Sequence, residues 1–228
     1  MNIWKTSDMG SYNPSRKDGN PPLKISDLGY IDYTKSTSGE WKGVVISHRT
    51  IINQMRMVST ILSTSPDIQT PVVRPTNKQS RVRNSMLSTL DCRGSIGMIT
   101  SILYSVFSGN LLVWLHPKTA EIPGLYANMI STYRISILLS DYDILKTIAY
   151  NYQSFPQSTR TFSKKKVDLS SVSWCLIDSP TVDCEFNDVL SDRWFKPLGH
   201  PNSRSIISPI LSLPEHGGTI ISMRDWYG

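Results

Sequence analysis

The stretch Tyr33-Thr34-Lys35-Ser36-Thr37-Ser38-Gly39-Glu40-Trp41-Lys42-Gly43 holds the residue types that grip phosphate. Backbone N–H groups in a tight turn and short hydroxyl side chains surround an anion, and a lysine ammonium supplies the opposite charge. Thr34, Ser36, Thr37 and Ser38 bring hydroxyls, Lys35 and Lys42 bring charge, and Gly39 and Gly43 give the backbone freedom to turn. The same composition also suits a plain hairpin turn. It is not the G-x-x-x-x-G-K-[ST] loop, since no Ser or Thr follows Lys42 and no glycine stands five places before Gly39.

Other chemistries have little support. Cys92, Cys175 and Cys184 stand far apart without a C-x-x-C pair, which argues against a disulfide framework or a zinc site and for a reducing, intracellular compartment, cytoplasmic or peripheral to organelle membranes. His48, His116, His200 and His216 show no ligand spacing. The net charge of +6 and pI near 9.2 suit nucleotide phosphates or an anionic membrane surface. The basic residues are scattered, and their one tight run, Lys164-Lys165-Lys166, falls in a polar stretch, which argues against nucleic acid as a partner.

The elements that must position the phosphate loop are legible around it. Residues 1–23 are rich in Ser, Asn, Pro and Gly and read as a flexible leader, with residues 24–228 forming the folded part. Short strands at Tyr30–Tyr33 and Gly43–Ile46 flank the loop. A helix capped by Ser47 or Thr50 follows, with Ile51, Met55, Val58 and Leu62 on one face. Ser63 to Ser80 is a Pro-broken connection, then come a strand at Ser85–Leu90, an apolar helix from Gly94 to Phe107 and a buried strand at Leu111–Leu115. Ser108-Gly109-Asn110 interrupts the uncharged window Ile96 to Leu115, so no transmembrane segment is expected.

Further along, a helix from Glu121 to Tyr133 carries Leu125, Met129 and Tyr133 on one face, and Ile135–Leu139 is a strand. Asp141 or Asp143 caps a helix bearing Ile144, Leu145, Ile148 and Tyr152, and Gln153 to Lys166 is a polar, mobile connection. Val172–Ile177 is a strand before a helix with Phe186, Leu190 and Trp194, and Ser205–Ile210 and Thr219–Ser222 are further strands. Repeated βα units predict an α/β fold, a mostly parallel sheet with helices on both faces.

The order Tyr-Thr-x-x-x-x-Gly-x-x-Lys-Gly-Val resembles the adenylate-forming superfamily, whose loop reads Y-T-S-G-S-T-G-x-P-K-G-V. Thr34, Gly39, Lys42 and Gly43 match, while Lys35 and Ser36 replace Ser-Gly and Trp41 replaces Pro. From about Leu28 to Glu215 the chain is similar to part of the N-terminal domain of fatty acyl-AMP ligases. By that resemblance Asp91, Gly94 and Gly97 occupy the acyl-pocket segment Y-H-D-M-G-L-I-G without its His-Asp pair. Tyr142 follows the family's G-A-P position, Asp178 stands in its N-G-A-E-P-V segment, and Glu215 alone survives from Y-G-L-A-E.

The resemblance implies ATP and magnesium as cofactors, with Thr34, Lys35, Ser36, Thr37, Ser38, Gly39 and Lys42 on the phosphates and Glu215 on the metal. Asp91, Gly94, Gly97, Tyr142 and Asp178 would line the substrate pocket, and the implied partners are fatty acid, acyl-AMP or diacylglycerol and the remaining subdomains of a longer protein. The kept scaffold and altered motifs most resemble the disco-interacting protein 2 family of lipid metabolism. A fragment lacking the family's lid and its catalytic lysine is expected not to catalyse by itself, so no catalytic residue is assigned. A non-catalytic lipid-binding or protein-interaction module on the same fold is the rival expectation.

Overall fold

A computed structural model describes residues 27–63, 84–162 and 166–223. The expected leader, nearly all of the Pro-broken connection, and Lys164 and Lys165 lie outside the described residues.

The phosphate-loop segment is a hairpin. Strands β1 (Leu28–Lys35) and β2 (Trp41–Ser47) pair antiparallel, with Thr34 opposite Lys42 and Lys35 opposite Trp41. Helix α1 (His48–Ser63) follows at once, because the Ser47 hydroxyl accepts the Thr50 N–H at 3.1 Å and caps the helix. Ile51, Met55 and Val58 are buried as their spacing predicts.

A second sheet forms the body. Its strands are β3 (Ser85–Ser88), β4 (Leu111–Trp114), β5 (Ile137–Asp141), β6 (Trp174–Asp178), β7 (Ile207–Leu213) and β8 (Gly218–Ser222), in the order β4-β3-β5-β6-β7-β8. Every neighbouring pair is parallel except β7–β8, which a tight turn at Pro214–His216 makes antiparallel. Alternate residues face opposite ways, and both faces are packed. Leu87, Leu138, Cys175 and Ile177 meet α3 (Leu125–Tyr133), α4 (Tyr142–Ser154) and α5 (Cys184–Leu190) on one side. Met86, Ile137, Leu139, Trp174 and Leu176 meet α1, Ile99 and Tyr104 on the other. Helices on both faces of a mostly parallel sheet make this an α/β fold. The last helix, α6 (Ser203–Ile206), is a single turn leading into β7.

Several expectations are corrected. The apolar helix is a π-helical stretch, Gly97–Leu103, running into α2 (Tyr104–Ser108) and ended by Gly109 in the left-handed region at φ 71°. Helix α3 begins at Leu125, not Glu121, because Pro117–Glu121 is a 3-10 turn and Gly124 sits at φ 80°. Its buried face is Tyr126, Ala127 and Ile130, one position round from the face expected through Leu125, Met129 and Tyr133. Strand β5 runs to Asp141, two residues past the expected end. The strand expected from Ser205 starts at Ile207, because Ser203–Ile206 is helical. Part of the connection expected from Gln153 is ordered as the end of α4 and a 3-10 turn at Pro156–Arg160. Among the described residues no helix is long and apolar enough to cross a membrane.

Candidate functional site

The loop between β1 and β2 is held by its own backbone. The Ser36 N–H donates to the Glu40 carbonyl at 2.8 Å and the Gly39 N–H to the Ser36 carbonyl at 2.9 Å, while the Ser36 and Ser38 hydroxyls pair at 2.7 Å. Gly39 lies at φ 87°, where a side chain is strained, so glycine sets this turn. Among the described residues the Thr37 and Ser38 N–H groups make no hydrogen bond, which leaves two consecutive donors at an exposed tip. Cross-strand pairing sets Lys42 on the face of Thr34 and Lys35 on the face of Trp41. The Lys35 stem nonetheless bends over the loop, its Cε 3.9 Å from where a Gly39 Cβ would stand. Neither lysine has a carboxylate partner among the described residues. Gly43 lies in a strand, as the expected strand Gly43–Ile46 has it, and does not take part in the turn. It is a strand position beneath the Tyr33 ring, whose Cε1 lies 3.5 Å from the place of a Gly43 Cβ.

The remaining candidates gather along one rim of the large sheet. Strand β3 has β4 on one side and β5 on the other, so the chain reverses its winding between β3 and β5. In open α/β sheets the crevice at the carboxyl ends of such strands is where ligands bind. At this end of β3 the Thr89 hydroxyl pairs with Ser140 at 2.7 Å, closing the crevice floor. Asp91 follows it, ion-paired to Arg93 at 2.6 Å and exposed, and the arginine holds its carboxyl down at about 2. Gly94 donates its N–H to the Asp91 carbonyl at 3.1 Å. Gly97 is pressed so close that a Cβ there would lie 2.2 Å from the same oxygen. Three of the five expected pocket residues, Asp91, Gly94 and Gly97, are thus brought together as one turn at the start of the π-helical stretch.

Asp141 and Asp178 are paired in register at the ends of β5 and β6. Asp141 caps α4 through the Ile144 N–H at 2.8 Å, and Asp178 accepts the Ser212 hydroxyl at 2.7 Å from β7. Burial raises both carboxyls above the ordinary 3.8. Asp143 adds to the rise at Asp141 and Asp141 to that at Asp178, while their hydrogen bonds oppose it. Tyr142 is buried, its ring edge-on to Phe186 at 5.9 Å and its hydroxyl accepting the Asp183 N–H at 3.2 Å, so it walls the rim without a free polar group.

A carboxyl whose folded pKa is raised adds stability below its unfolded pKa and loses it as pH rises through the folded value. Asp178→Asn keeps an acceptor for Ser212 and removes that loss. The melting temperature of the variant minus that of the parent should therefore climb between about pH 3 and pH 7. A flat difference curve would show that Asp178 is not destabilised as a carboxylate.

Glu215 lies at the far end of the rim, in the turn after β7. It lines an open cleft of about 460 Å³ with Thr50, Asn53, Gln54, Met57 and His216. Both hairpin strands and α1 border this turn, so the rim reaches the base of the hairpin. Glu215 has no ion pair among the described residues, and no group of three or more His, Cys, Asp or Glu is placed there to hold a metal. A single free carboxylate fits magnesium in the mode where substrate phosphates supply most ligands, and not an all-protein cage.

Two rim features escape sequence reading. Thr89, just past β3, and Ser140 of β5 are buried hydroxyls that face each other, a signal only once the register is known. Gln54 is buried on the core side of α1, donating to the His216 and Thr219 carbonyls at 3.2 Å each. It ties α1 to the Glu215 turn, and its only sequence signal is a polar residue on an apolar stripe.

Known proteins place this geometry. The family model described as AMP-binding enzyme matches residues 3–199. The chain is 46% identical over 232 residues to an uncharacterized protein of Schizosaccharomyces pombe, covering 99% of this chain and 15% of that protein. It is 34% identical over 233 residues to the Homeostatic regulator of DAG of Saccharomyces cerevisiae, covering 98% and 14%. Its fold is similar to the fatty acyl-adenylate ligase of L. pneumophila in complex with acyl adenylate and pyrophosphate, with a TM-score of 0.63, 18% identity, and 86% and 30% of the two chains covered. It is similar too to a structure from work on fatty acyl-adenylate ligases of E. coli and L. pneumophila, with a TM-score of 0.65, 16% identity, and 89% and 33% covered. The chain therefore spans about a seventh of the length of those two curated relatives.

Proposed function

The chain belongs to the AMP-binding enzyme family, and from that premise we propose that it is part of a fatty acyl-AMP ligase-like domain in a longer protein of lipid metabolism. The hairpin loop carries this reading: among the described residues the Thr37 and Ser38 N–H groups have no hydrogen-bond partner, and two lysines, Lys35 and Lys42, have no carboxylate partner. ATP phosphates lie against these donors, Lys42 and the Thr34 hydroxyl hold them from one face, and Lys35 reaches over the tip. Glu215 would hold magnesium as its one protein carboxylate, and the metal would neutralise phosphate charge when bound. In the complete domain a fatty carboxylate held along the sheet rim would attack the α-phosphorus, forming acyl-AMP and releasing pyrophosphate, a step that this stretch does not carry out by itself. Fixed positive groups favour such a step because they already face the charge that develops. Asp91-Cys92 in place of His-Asp and Trp41 in place of Pro leave this chain a weakened version of that site.

A calorimetric titration with ATP, an acyl-AMP analogue and diacylglycerol tests the reading. A charge-assisted hydrogen bond contributes about 1.5–3 kcal/mol, so Lys42→Ala should weaken nucleotide binding about tenfold or more. Nucleotide affinity that survives Lys42→Ala unchanged would remove the loop from the site. The name of the Saccharomyces relative, Homeostatic regulator of DAG, favours a second reading, a lipid-binding module on the same fold. Diacylglycerol binding without nucleotide binding would select it.

A further inference from the structure

The phosphate loop and the metal carboxylate of the proposed site belong to different sheets. The loop closes the two-stranded hairpin, and Glu215 stands in the turn between β7 and β8 of the six-stranded sheet. Apolar packing through Tyr30, Val44 and Ile46 holds the hairpin to the core, but such packing has no preferred direction. Gln54 adds direction. Strand β2 ends at Ser47 and α1 begins at His48 with no residue between them, so α1 carries the orientation of the hairpin to the large sheet. From α1 the Gln54 amide donates to the His216 and Thr219 carbonyls at 3.2 Å each. These carbonyls flank the glycine pair that shapes the turn. Gly217 and Gly218 lie at φ 70° and 141°, and both are pressed against α1: Thr50 Cγ2 is 2.8 Å from the place of a Gly217 Cβ, and Gln54 Oε1 is 3.1 Å from that of Gly218.

Gln54 is only 5% exposed, it shares the stripe of Ile51, Met55 and Val58, and its Oε1 is buried without a hydrogen-bond partner among the described residues. An apolar side chain of the same length would bury equally well and leave no orphaned oxygen, whose burial costs stability. What the amide alone supplies is a pair of directed bonds to the backbone on either side of the glycine pair, next to Glu215. We propose that Gln54 is a positioning residue, which fixes where Glu215 stands relative to the phosphate loop so that the carboxylate and the loop donors meet one magnesium nucleotide together. The inference rests on the function proposed above.

The test compares the full-length protein with Gln54→Met, which keeps the length of the side chain and loses both N–H donors, with Glu215→Gln, and with the two combined. Amide hydrogen exchange, read by mass spectrometry, needs no nucleotide. Peptides covering residues 214–219 should exchange at least about tenfold faster in Gln54→Met, while those of β5 and β6 keep the rates of the parent. Unchanged exchange over 214–219 overturns the inference. So does faster exchange throughout β5 and β6, which would mean that Gln54 supports the fold as a whole and not this turn. ATP affinity is then titrated by calorimetry with and without magnesium. Gln54→Met should bind ATP about tenfold more weakly with magnesium and as tightly as the parent without it, and the double variant should bind no more weakly than Glu215→Gln. A loss that is equal with and without magnesium, or that adds to the loss from Glu215→Gln, overturns the inference, because Gln54 would then not act through Glu215. A parent that binds no ATP removes the function proposed above, and the exchange measurement still decides whether Gln54 sets the turn.

Discussion

Trp194→Ala is expected to destabilise the protein by about 3–5 kcal/mol, the range for removing a large aromatic from a packed core. Its ring has no solvent exposure, lies edge-on to Phe195 with centroids 4.6 Å apart, and meets Tyr126 at 6.1 Å. The Tyr126 contact binds the π-helical segment Ser191–Phe195, which continues α5, to α3, so the tryptophan ties two helical elements of one layer to each other. A small pocket of about 10 Å³, lined by Trp194, Tyr126 and Gly124 among others, already stands beside the ring. Gly124 is itself closely packed, since a Cβ there would come within 2.4 Å of the Ser158 carbonyl oxygen. Denaturant unfolding should show the loss as a lower midpoint at unchanged slope, with Trp194→Phe losing much less. A cost under about 1 kcal/mol would mean that the helices close the gap.

The local parts of this fold were legible in the chain, and the parts that depend on distant partners were not. Ile51, Met55 and Val58 announced α1 because an apolar stripe at helical spacing has one way to be buried. Asp141 announced α4 because a carboxylate can satisfy an orphan N–H whatever surrounds it, although Asp143 was an equal candidate until the Ile144 bond decided between them. The wide turns at Gly97–Leu103 left no periodic mark, because in so uniformly apolar a run no stripe of side chains distinguishes a π stretch from an α-helix. Strand order was equally hidden: nothing in Leu111–Trp114 says that β4 turns back outside β3 while β5 goes to the other side. That reversal creates the crevice, so the candidate site could be named residue by residue, by resemblance, before it could be placed. Gly43 illustrates the limit, since a glycine expected to bend the chain instead makes room for the Tyr33 ring.

Gly97→Ala is expected to be the most damaging of the small substitutions at the rim, and its sign has to be argued because two effects oppose. Alanine in place of glycine within a helix is worth up to about 1 kcal/mol of intrinsic preference. Against this, the new Cβ would stand 2.2 Å from the Asp91 carbonyl oxygen and 2.8 Å from its carbon, backbone atoms that cannot swing aside. Overpacking of this kind typically costs about 1–3 kcal/mol, and a clash with the main chain of the Asp91-Cys92 turn belongs at the upper end, so destabilisation wins. Gly94→Ala separates the two effects, because its Cβ would meet the same oxygen at an ordinary 3.5 Å and the position is exposed. That variant should stay within about 0.5 kcal/mol of the parent, as surface substitutions do. The turn that Gly97 supports leads out of β3 beside the crevice, so relief of the clash must move Asp91 and the Leu90 carbonyl, which accepts the Trp114 indole N–H at 2.9 Å. Gly97→Ala should therefore change the near-ultraviolet signal of tryptophan as well as the unfolding midpoint. A stable variant with an unaltered tryptophan signal would show that the helix start can slide away from the turn, and the close approach at Gly97 would then be incidental to the shape of the rim.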